Sequence, residues 1–364
     1  MPIDFTHERY ERVAENSRLW WAGELKRPLI QVTTRTHDPG RFEPALDYRF
    51  YNAAYEDSTA AETIIDRLDY DLSCLTFHGD AFPHNMPFFG AGVLAAFLGA
   101  ELDQREETCW FHPPDEREAP DLSFRFSPEN RWYKRISDIY AAGVERWDGL
   151  VQLAITDLGG NLDILSSFRP GEKLLLDLYD HPDDVKRLTW ETHDLWWQYY
   201  DAFDSMIRPP NHGCTAWTPI FSVEPYYMLQ CDFAYMISSE MFDEFVRPEL
   251  AASCRRLGNA FYHLDGPGQL VHLDSLLSID ELKGIQWIPG GGSPGVGHWP
   301  EVYKKIRDAG KLIQFFGDIG DLDTIAGQIG SAEGLALICM DFDNPTPKPS
   351  ETEIIDALDR YRVI

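Results

Sequence analysis

The stretch Phe261-Tyr-His-Leu-Asp-Gly-Pro-Gly-Gln-Leu-Val-His-Leu-Asp274 joins the end of an apolar run to a glycine–proline break and a second apolar segment. If Ala260–Leu264 is a strand, His263 and Asp265 are two residues apart and lie on one face. The break at residues 266–268 then places both side chains at the carboxyl end of the strand. Active sites of β/α proteins are built at that end, and imidazole beside carboxylate suits zinc binding or proton transfer.

The rest of the chain repeats this pattern, because apolar or β-branched runs alternate with amphipathic stretches of helical length. Such alternation is typical of β/α units around a parallel sheet. The predicted strands are Pro28–Thr34, Asp71–Phe77, Leu150–Thr156, Cys214–Ile220, Met228–Phe233, Ala260–Leu264, Gly284–Ile288, Lys311–Phe316 and a short one at Leu335–Met340. The predicted helices are Ala60–Leu68, Asn130–Glu145, Pro182–Phe203, Ser239–Leu257, Trp299–Asp308 and Glu351–Tyr361. About eight strands favour a single (β/α)8 TIM barrel.

Two segments lie outside this repeat. Arg9–Leu25 is a charged amphipathic stretch, and we expect an N-terminal helical extension over 1–26 that closes the barrel bottom or packs at an edge. Gly79–Asp121 is rich in proline and aromatic residues, which predicts an insertion after the second strand over one barrel mouth. No linker or repeat divides the chain, so residues 1–364 are predicted to form one domain.

Composition narrows the classes of partner. The chain has 32 basic and 60 acidic residues, a net charge of -28, which repels nucleic acid and anionic membranes and favours a cationic or neutral substrate. It has no run of eighteen apolar residues and no secretory signal pattern at its start. Its six cysteines are scattered and form no CxxC pair. These features predict a cytoplasmic protein with reduced thiols.

Polar side chains that follow the strands should converge on the barrel mouth. They are Arg35, His37, Asp38, His78, Asp80, Asp157, Asn161, Glu224, Asp232, His263, Asp265, Asp318, Cys339 and Asp341. Several have a plainer interpretation: Asp157 and Asp318 as turn caps, Cys339 as a small buried residue, and His272 with Asp274 as the start of a helix.

Aromatic residues near the predicted loops suggest a pocket for a small organic group. Trp217, Tyr227 and Trp287 are candidate substrate-binding residues, together with Arg35 and His78. Such rings enclose a methylated ammonium by cation–π contact or stack on a methoxylated aromatic group. The alternative is that these rings pack within the core.

Several segments together resemble the superfamily of uroporphyrinogen decarboxylase, which also holds corrinoid-dependent methyltransferases. They run in order from about Arg27 to the C-terminus: Leu158–Leu165, Leu174–Lys186, Asp232 with Ile237–Pro248, the His263 segment, Gly317–Leu322 and Thr346-Pro347. The resemblance implies a (β/α)8 barrel.

The decarboxylase itself is the poorer match. Its arginine-rich segment after the first strand, which handles substrate carboxylates, corresponds here to Gln31–Gly40 and keeps only Arg35. Its late Gly-His-Gly motif is replaced by the segment that begins at Cys339. One arginine does not pair many carboxylates, so the haem-pathway reaction is disfavoured.

The methyltransferase branch resembles the chain better, since its members bind zinc through a His-x-Cys pair and a late cysteine. The likeness implies His263, Asp265 and Cys339 as zinc ligands, with aspartate replacing the first cysteine. His263 and Asp265 serve alternatively as an acid–base pair, and Asp157 and Asp232 shape the pocket.

The activity implied is methyl transfer between a small methylated compound or thiol and a corrinoid that a partner protein carries. A small-molecule substrate is expected, and a homodimer is left open. Two alternatives stand beside it: a decarboxylase or lyase acting on a small carboxylic acid with Arg35 as its cation, and a non-catalytic binding barrel.

Overall fold

The computed structural model describes residues 3–105, 108–340 and 349–363. Its strands are β1 (Leu29–Thr34), β2 (Thr76–Gly79), β3 (His84–Asn85), β4 (Glu101–Gln104), β5 (Cys109–His112), β6 (Gln152–Leu153), β7 (Tyr226–Leu229), β8 (Asn259–Asp265), β9 (Leu282–Ile288), β10 (Leu312–Phe316) and β11 (Leu335–Cys339). From β8 onward each strand matches its prediction within two residues at either end.

The α-helices are α1 (His7–Trp21), α2 (Ala61–Ser73), α3 (Leu94–Phe97), α4 (Arg131–Trp147), α5 (Asn161–Phe168), α6 (Lys173–Asp180), α7 (Pro182–Ile207), α8 (Ser239–Phe245), α9 (Arg247–Arg256), α10 (Leu273–Leu277), α11 (Pro300–Asp308), α12 (Ile319–Ile329) and α13 (Glu351–Arg360). The predicted helices are confirmed, except that Ser239–Leu257 divides at Val246, just before Pro248. None of the described helices combines the length and apolar character needed to cross a lipid bilayer.

A seven-stranded sheet organises the fold, in the order β2-β1-β11-β10-β9-β8-β7. All neighbours in it are parallel except β2, which runs antiparallel to β1. β3 pairs with β6 in parallel, and β4 pairs with β5 as an antiparallel hairpin. The mixed α/β class with a mostly parallel sheet is confirmed. Within the described residues the seven-stranded sheet does not close on itself.

The predicted strand Asp71–Phe77 is wrong over most of its length. The preceding helix α2 continues to Ser73, and within it Arg67 and Asp71 form an ion pair of 2.8 Å one helical turn apart. The predicted strand Cys214–Ile220 is also wrong, since only a single bridge joins Cys214 to Ser222 there.

The N-terminal helix α1 covers the amino ends of the parallel strands, at the bottom of the sheet where the sequence predicts it. The Trp20 indole N–H donates to the Leu335 carbonyl at the start of β11 (3.1 Å). Its ring also stacks on Phe261 near the start of β8, with centroids 5.7 Å apart. This apolar cover leaves the opposite end of the sheet for polar chemistry.

Candidate active site

Three polar side chains meet at the carboxyl ends of β7 and β8. His263 and Asp265 share one face of β8, and Asp232 begins the 3-10 helix Asp232–Met236 that follows β7. Atoms of the three able to bind a metal lie within 4.8 Å of one another. We call these residues the acid–histidine trio. Asp232 is exposed, whereas His263 and Asp265 are half-buried.

The ring of His263 is oriented from two sides. Its Nδ1 contacts the Oε1 atom of Gln286, which is the direct register partner on β9. An amide oxygen only accepts hydrogen bonds, so this contact favours the tautomer of the neutral ring in which Nδ1 carries the proton and Nε2 has the lone pair. The Trp217 ring packs against the imidazole at 80°, with centroids 5.1 Å apart. His263 is therefore ready to bind a metal or accept a proton through Nε2.

Removal of water raises the pKa of Asp232 above its usual value. The nearby imidazole of His263 opposes this rise in pKa, and the carboxylate of Asp265 adds to it. A metal cation or a protonated group would reduce the repulsion between the two acids.

A third carboxylate, that of Asp163, connects this site to helix α5. Its two oxygens accept backbone N–H groups of Asp232 (3.0 Å) and Phe233 (2.7 Å), which holds the 3-10 helix after β7 in place. Burial, followed by the charge of Asp232, raises the pKa of Asp163. Sequence reasoning missed Asp163, because nothing local in the first turn of α5 indicates a partner about seventy residues later.

Asp157 lies in the loop after β6 and is close enough to Asp232 to feel its charge. Its Oδ1 accepts the N–H of Gly159 at 3.0 Å, as the turn-cap interpretation predicts. Gly159 has φ +81° and a Cβ there would lie 2.4 Å from the Gly92 Cα, so only glycine fits. Burial, and then the charge of Asp232, raise the pKa of Asp157 to about 7.

A cavity of about 270 Å³ lies beside Asp232. It is lined by Ala91, Gly92, Asp163, Ser166, Ser167, Gln230, Asp232, Phe233 and Met236. Ala91 and Gly92 come from the predicted insertion, which therefore contributes a wall. Among the described residues that line the cavity none is basic, so its chemistry suits a neutral or cationic group.

Two of the predicted aromatic substrate contacts lie away from the trio. Tyr227 is buried against α7, where its hydroxyl accepts the N–H of Leu158 at 2.8 Å. Trp287 is buried on the other face of β9 from Gln286 and packs on Trp299. Both positions match the alternative of core packing, whereas Trp217 lies beside His263.

His78 and Asp80 do not follow a strand that ends at the mouth, because β2 is antiparallel to β1. His78 pairs with Val32 and its Nε2 contacts the Thr34 hydroxyl at 2.9 Å. Asp80 lies at the opposite end of the sheet. The expectation that they converge on the mouth is therefore wrong for Asp80, and His78 is not among the cavity-lining residues.

Cys339 is not part of the trio. It ends β11, three strands along from β8, and neighbouring strands lie about 4.8 Å apart. The structure thus groups Asp232, and not Cys339, with His263 and Asp265. Asp341 and Thr346-Pro347 lie outside the described residues.

The remaining predicted polar side chains have structural partners or lie apart from the trio. Arg35 forms an ion pair with Asp71, His37 contacts the Ser73 carbonyl, and the Asp38 carboxylate accepts the Gly40 N–H. Asn161 begins α5, Asp318 caps α12, and Glu224 is exposed before β7. His272 contacts the Ala234 carbonyl just before α10.

No model of a known protein family matches the chain, and a comparison with curated proteins found no match either. The resemblance to the uroporphyrinogen decarboxylase superfamily therefore depends on the sequence motifs alone. The chemistry of the site has to be argued from its own geometry.

Proposed function

We propose that this chain is a methyl-transfer enzyme that moves a methyl group between a small methylated compound or thiol and a corrinoid carried by a partner protein. The observation that carries the proposal is the acid–histidine trio at the carboxyl end of a parallel sheet, beside a cavity of about 270 Å³. The sequence motifs of the methyltransferase branch support the same chemistry.

The finer architecture that we propose is a single (β/α)8 barrel. β3 and β6 would close the sheet between β1 and β7, which gives eight parallel strands when β2, β4 and β5 are excluded. Gln152 N–H donates to the Pro83 carbonyl at 2.9 Å and Ala154 N–H donates to the Asn85 carbonyl at 2.8 Å, which extends the pairing of β3 with β6. On the side of β7, Ile155 N–H donates to the Thr215 carbonyl at 3.1 Å, which links the end of β6 to the segment before β7. The trio would then lie at the barrel mouth.

The trio offers two carboxylates and one imidazole as ligands for a divalent metal. Oxygen and nitrogen donors fit zinc, manganese or ferrous iron, and a set of three leaves coordination positions open. Our zinc proposal therefore has Asp232 as the third ligand in place of Cys339. When bound, such a metal acts as a Lewis acid that polarises an oxygen or sulfur of the substrate.

In the alternative in which the trio works as an acid–base group without a metal, Asp232 is suited to carry a proton, because it belongs to the trio and also lines the cavity. In demethylation the bonding electron pair of the broken bond stays on the donor heteroatom, and a proton neutralises that atom. A reduced corrinoid on the partner protein, when present, would supply the electron pair of the new bond to the methyl carbon. Burial raises the pKa of Asp232, which favours the protonated carboxyl that this step requires.

A lyase acting on a small carboxylic acid is a second candidate, favoured by the raised pKa of Asp157. A carboxyl group with a pKa of about 7 is protonated in part of the molecules at neutral pH, and decarboxylation requires a proton for the carbanion that it leaves. The lack of basic side chains among the described cavity-lining residues disfavours it, because a carboxylate substrate needs a cation.

The test is transfer of methyl groups from a panel of methylated amines, thiols and methoxylated aromatics to cob(I)alamin, followed by its change in absorbance. We expect turnover by the wild type with about one bound metal per chain, and loss of both in His263→Ala. Cys339→Ser is the matched control and keeps the metal. Failure with every donor, with corrinoid protein also supplied, contradicts the proposal, and decarboxylation without methyl transfer identifies the lyase.

A further inference from the structure

Two glutamines, Gln286 and Gln314, lie beside His263 in the same row of register partners across the sheet. His263 on β8 is in register with Gln286 on β9, and Gln286 is in register with Gln314 on β10. Register partners in a parallel sheet point to the same face. Both glutamines are fully buried, at 0% exposure. We call Gln286 and Gln314 the glutamine pair.

Three polar atoms of the glutamine pair have no bonding partner within the described part of the chain. They are Nε2 of Gln286 and both Nε2 and Oε1 of Gln314. A buried polar atom without a partner typically destabilises a fold by about 1–3 kcal/mol. Three such atoms on adjacent side chains are therefore a large destabilisation. Buried polar groups that are retained without a protein partner indicate a ligand or ordered water.

The surroundings of the glutamine pair indicate the side from which a ligand arrives. Toward the amino end, the Phe261 ring covers Gly284, where a Cβ would lie 2.1 Å from the ring Cζ atom. The Trp20 ring stacks on Phe261 and completes an apolar floor. On the next strand, Ala336, with its small side chain, is in register with Gln314. On the other side of the pair, Gln286 contacts His263 of the trio, so the polar neighbours of the pair lie on the side of the trio.

We propose that the glutamine pair binds an uncharged part of the substrate that both donates and accepts hydrogen bonds, as a hydroxyl or a carboxamide does. This inference depends on the proposed function, which places the substrate at the trio. The unpartnered atoms are two donors and one acceptor, a set that such a group matches.

Charged groups match the glutamine pair less well. An ammonium group only donates, so both amide N–H groups would remain unpaired. A carboxylate only accepts, which would leave Oε1 of Gln314 unpaired and add a negative charge beside Asp232 and Asp265. A methylated compound that also carries a free hydroxyl or carboxamide group is therefore the substrate class that the pair selects.

Gln314→Met tests the pair, because methionine keeps the side-chain volume and removes two unpartnered atoms. We expect a higher unfolding temperature than in the wild type when no ligand is added. The matched control is Gln328→Met on α12, where Nε2 donates to the Gly297 carbonyl at 2.7 Å and Oε1 is unpartnered. That change removes a hydrogen bond and should lower the unfolding temperature. A lower unfolding temperature for Gln314→Met would show that water already satisfies the amide, and would overturn the inference.

Binding is read by saturation-transfer NMR with four small probes: 1,2-propanediol, acetamide, acetate and tetramethylammonium. We expect signals from the diol or the amide that fall at least twofold in Gln314→Met and persist in Gln328→Met. A Gln314-dependent signal from acetate or tetramethylammonium alone, or none from the neutral probes, would refute the inference. A stronger saturation-transfer signal from 1,2-propanediol than from acetamide would identify a hydroxyl as the group that is bound.

The two proposals fail in different ways. If methyl transfer fails while the neutral probes still bind in a Gln314-dependent manner, the proposed reaction is wrong and the subsite stands. If methyl transfer proceeds and Gln314→Met leaves the KM of every donor unchanged, the subsite is wrong and the reaction stands.

Discussion

Two aspartates at opposite ends of the sheet have contrasting surroundings. Asp80, at the amino end, accepts two bonds from Arg27 (2.7 and 2.9 Å), one from the Ile30 N–H (3.0 Å) and one from Asn16 (3.0 Å). Asp232, at the carboxyl end, lies beside Asp265 and His263. The first carboxylate is satisfied by the fold, whereas the second has capacity for a ligand.

The contrast extends to the acids around Asp232. Asp157 and Asp163 both have a raised pKa, caused first by burial and then by the charge of Asp232. Like charges held together in this way destabilise the ionised fold and are found at functional sites. The role of an acid in this fold is therefore indicated more by its bonding partners and neighbouring charges than by its position.

The largest effect on stability is expected from Asp80→Ala. It leaves the guanidinium of Arg27, only 10% exposed, without its counter-charge, a change that typically costs about 3–5 kcal/mol. Urea denaturation followed by circular dichroism measures the loss. Asp232→Asn is the matched control and should leave the free energy of unfolding equal or higher, since it relieves repulsion. Equal losses of unfolding free energy in Asp80→Ala and Asp232→Asn would contradict the inference that only the first carboxylate stabilises the fold.

The next effect is a pH dependence caused by Asp157. Its folded pKa of about 7 is above the ordinary 3.8, so the protonated form stabilises the fold and that contribution is lost as pH rises from 3.8 to about 7. Asp157→Asn keeps an oxygen for the Gly159 N–H. It should therefore be more stable than the wild type above pH 7, by a few kcal/mol at about 1.4 kcal/mol per pKa unit. The gap should disappear below pH 4, and a gap independent of pH would refute the assignment.

The same contrast explains how much could be predicted from the sequence. Strands β8 to β11 are mostly buried and rich in apolar residues, with a few polar residues such as His263 and Gln286 among them, which makes their bounds easy to predict. The segment Asp71–Phe77 has a similar apolar content, but α2 continues through its first three residues, and Asp71 pairs there with Arg67. The sequence of a single strand does not show in which direction it pairs. Because β2 runs antiparallel to β1, Asp80 lies at the amino end of the sheet, whereas the sequence predicted the carboxyl end.

Within the site, His263 and Asp265 were predictable because two residues on one strand share a face. Asp232 was predictable as the polar residue after β7. Gln286 and Gln314 were not, since their importance depends on the register between three strands and on which atoms lack partners. Sequence patterns indicate where a strand ends, and the fold decides which ends meet.

A smaller effect is expected from Gln286→Leu on metal affinity. Gln286 holds the Nδ1 proton of His263, and loss of such an outer partner typically weakens metal binding about 10- to 100-fold. Titration of the metal-free protein with zinc, followed by calorimetry, measures the dissociation constant. Trp299→Phe is the matched control and should leave the dissociation constant unchanged, because Trp299 precedes α11 and packs on Trp287, on the other face of β9 from Gln286. Unchanged affinity in Gln286→Leu would show that the histidine is oriented by Trp217 alone.

The smallest effect is expected from Asp318→Ala. This variant tests whether an acid is functional because it lies at the carboxyl end of the sheet or because it lacks bonding partners there. Asp318 follows β10 at the same carboxyl end as the trio, yet its Oδ1 accepts the Asp321 N–H at 2.8 Å in a capping box at the start of α12. Loss of such a cap costs about 1 kcal/mol. We therefore expect a small drop in the free energy of unfolding, with methyl transfer and zinc affinity unchanged. Asp318→Asn retains a capping oxygen and should recover most of the stability. If Asp318→Ala abolished turnover while the protein remained folded, position at the carboxyl end, and not the absence of partners, would be what makes an acid functional here.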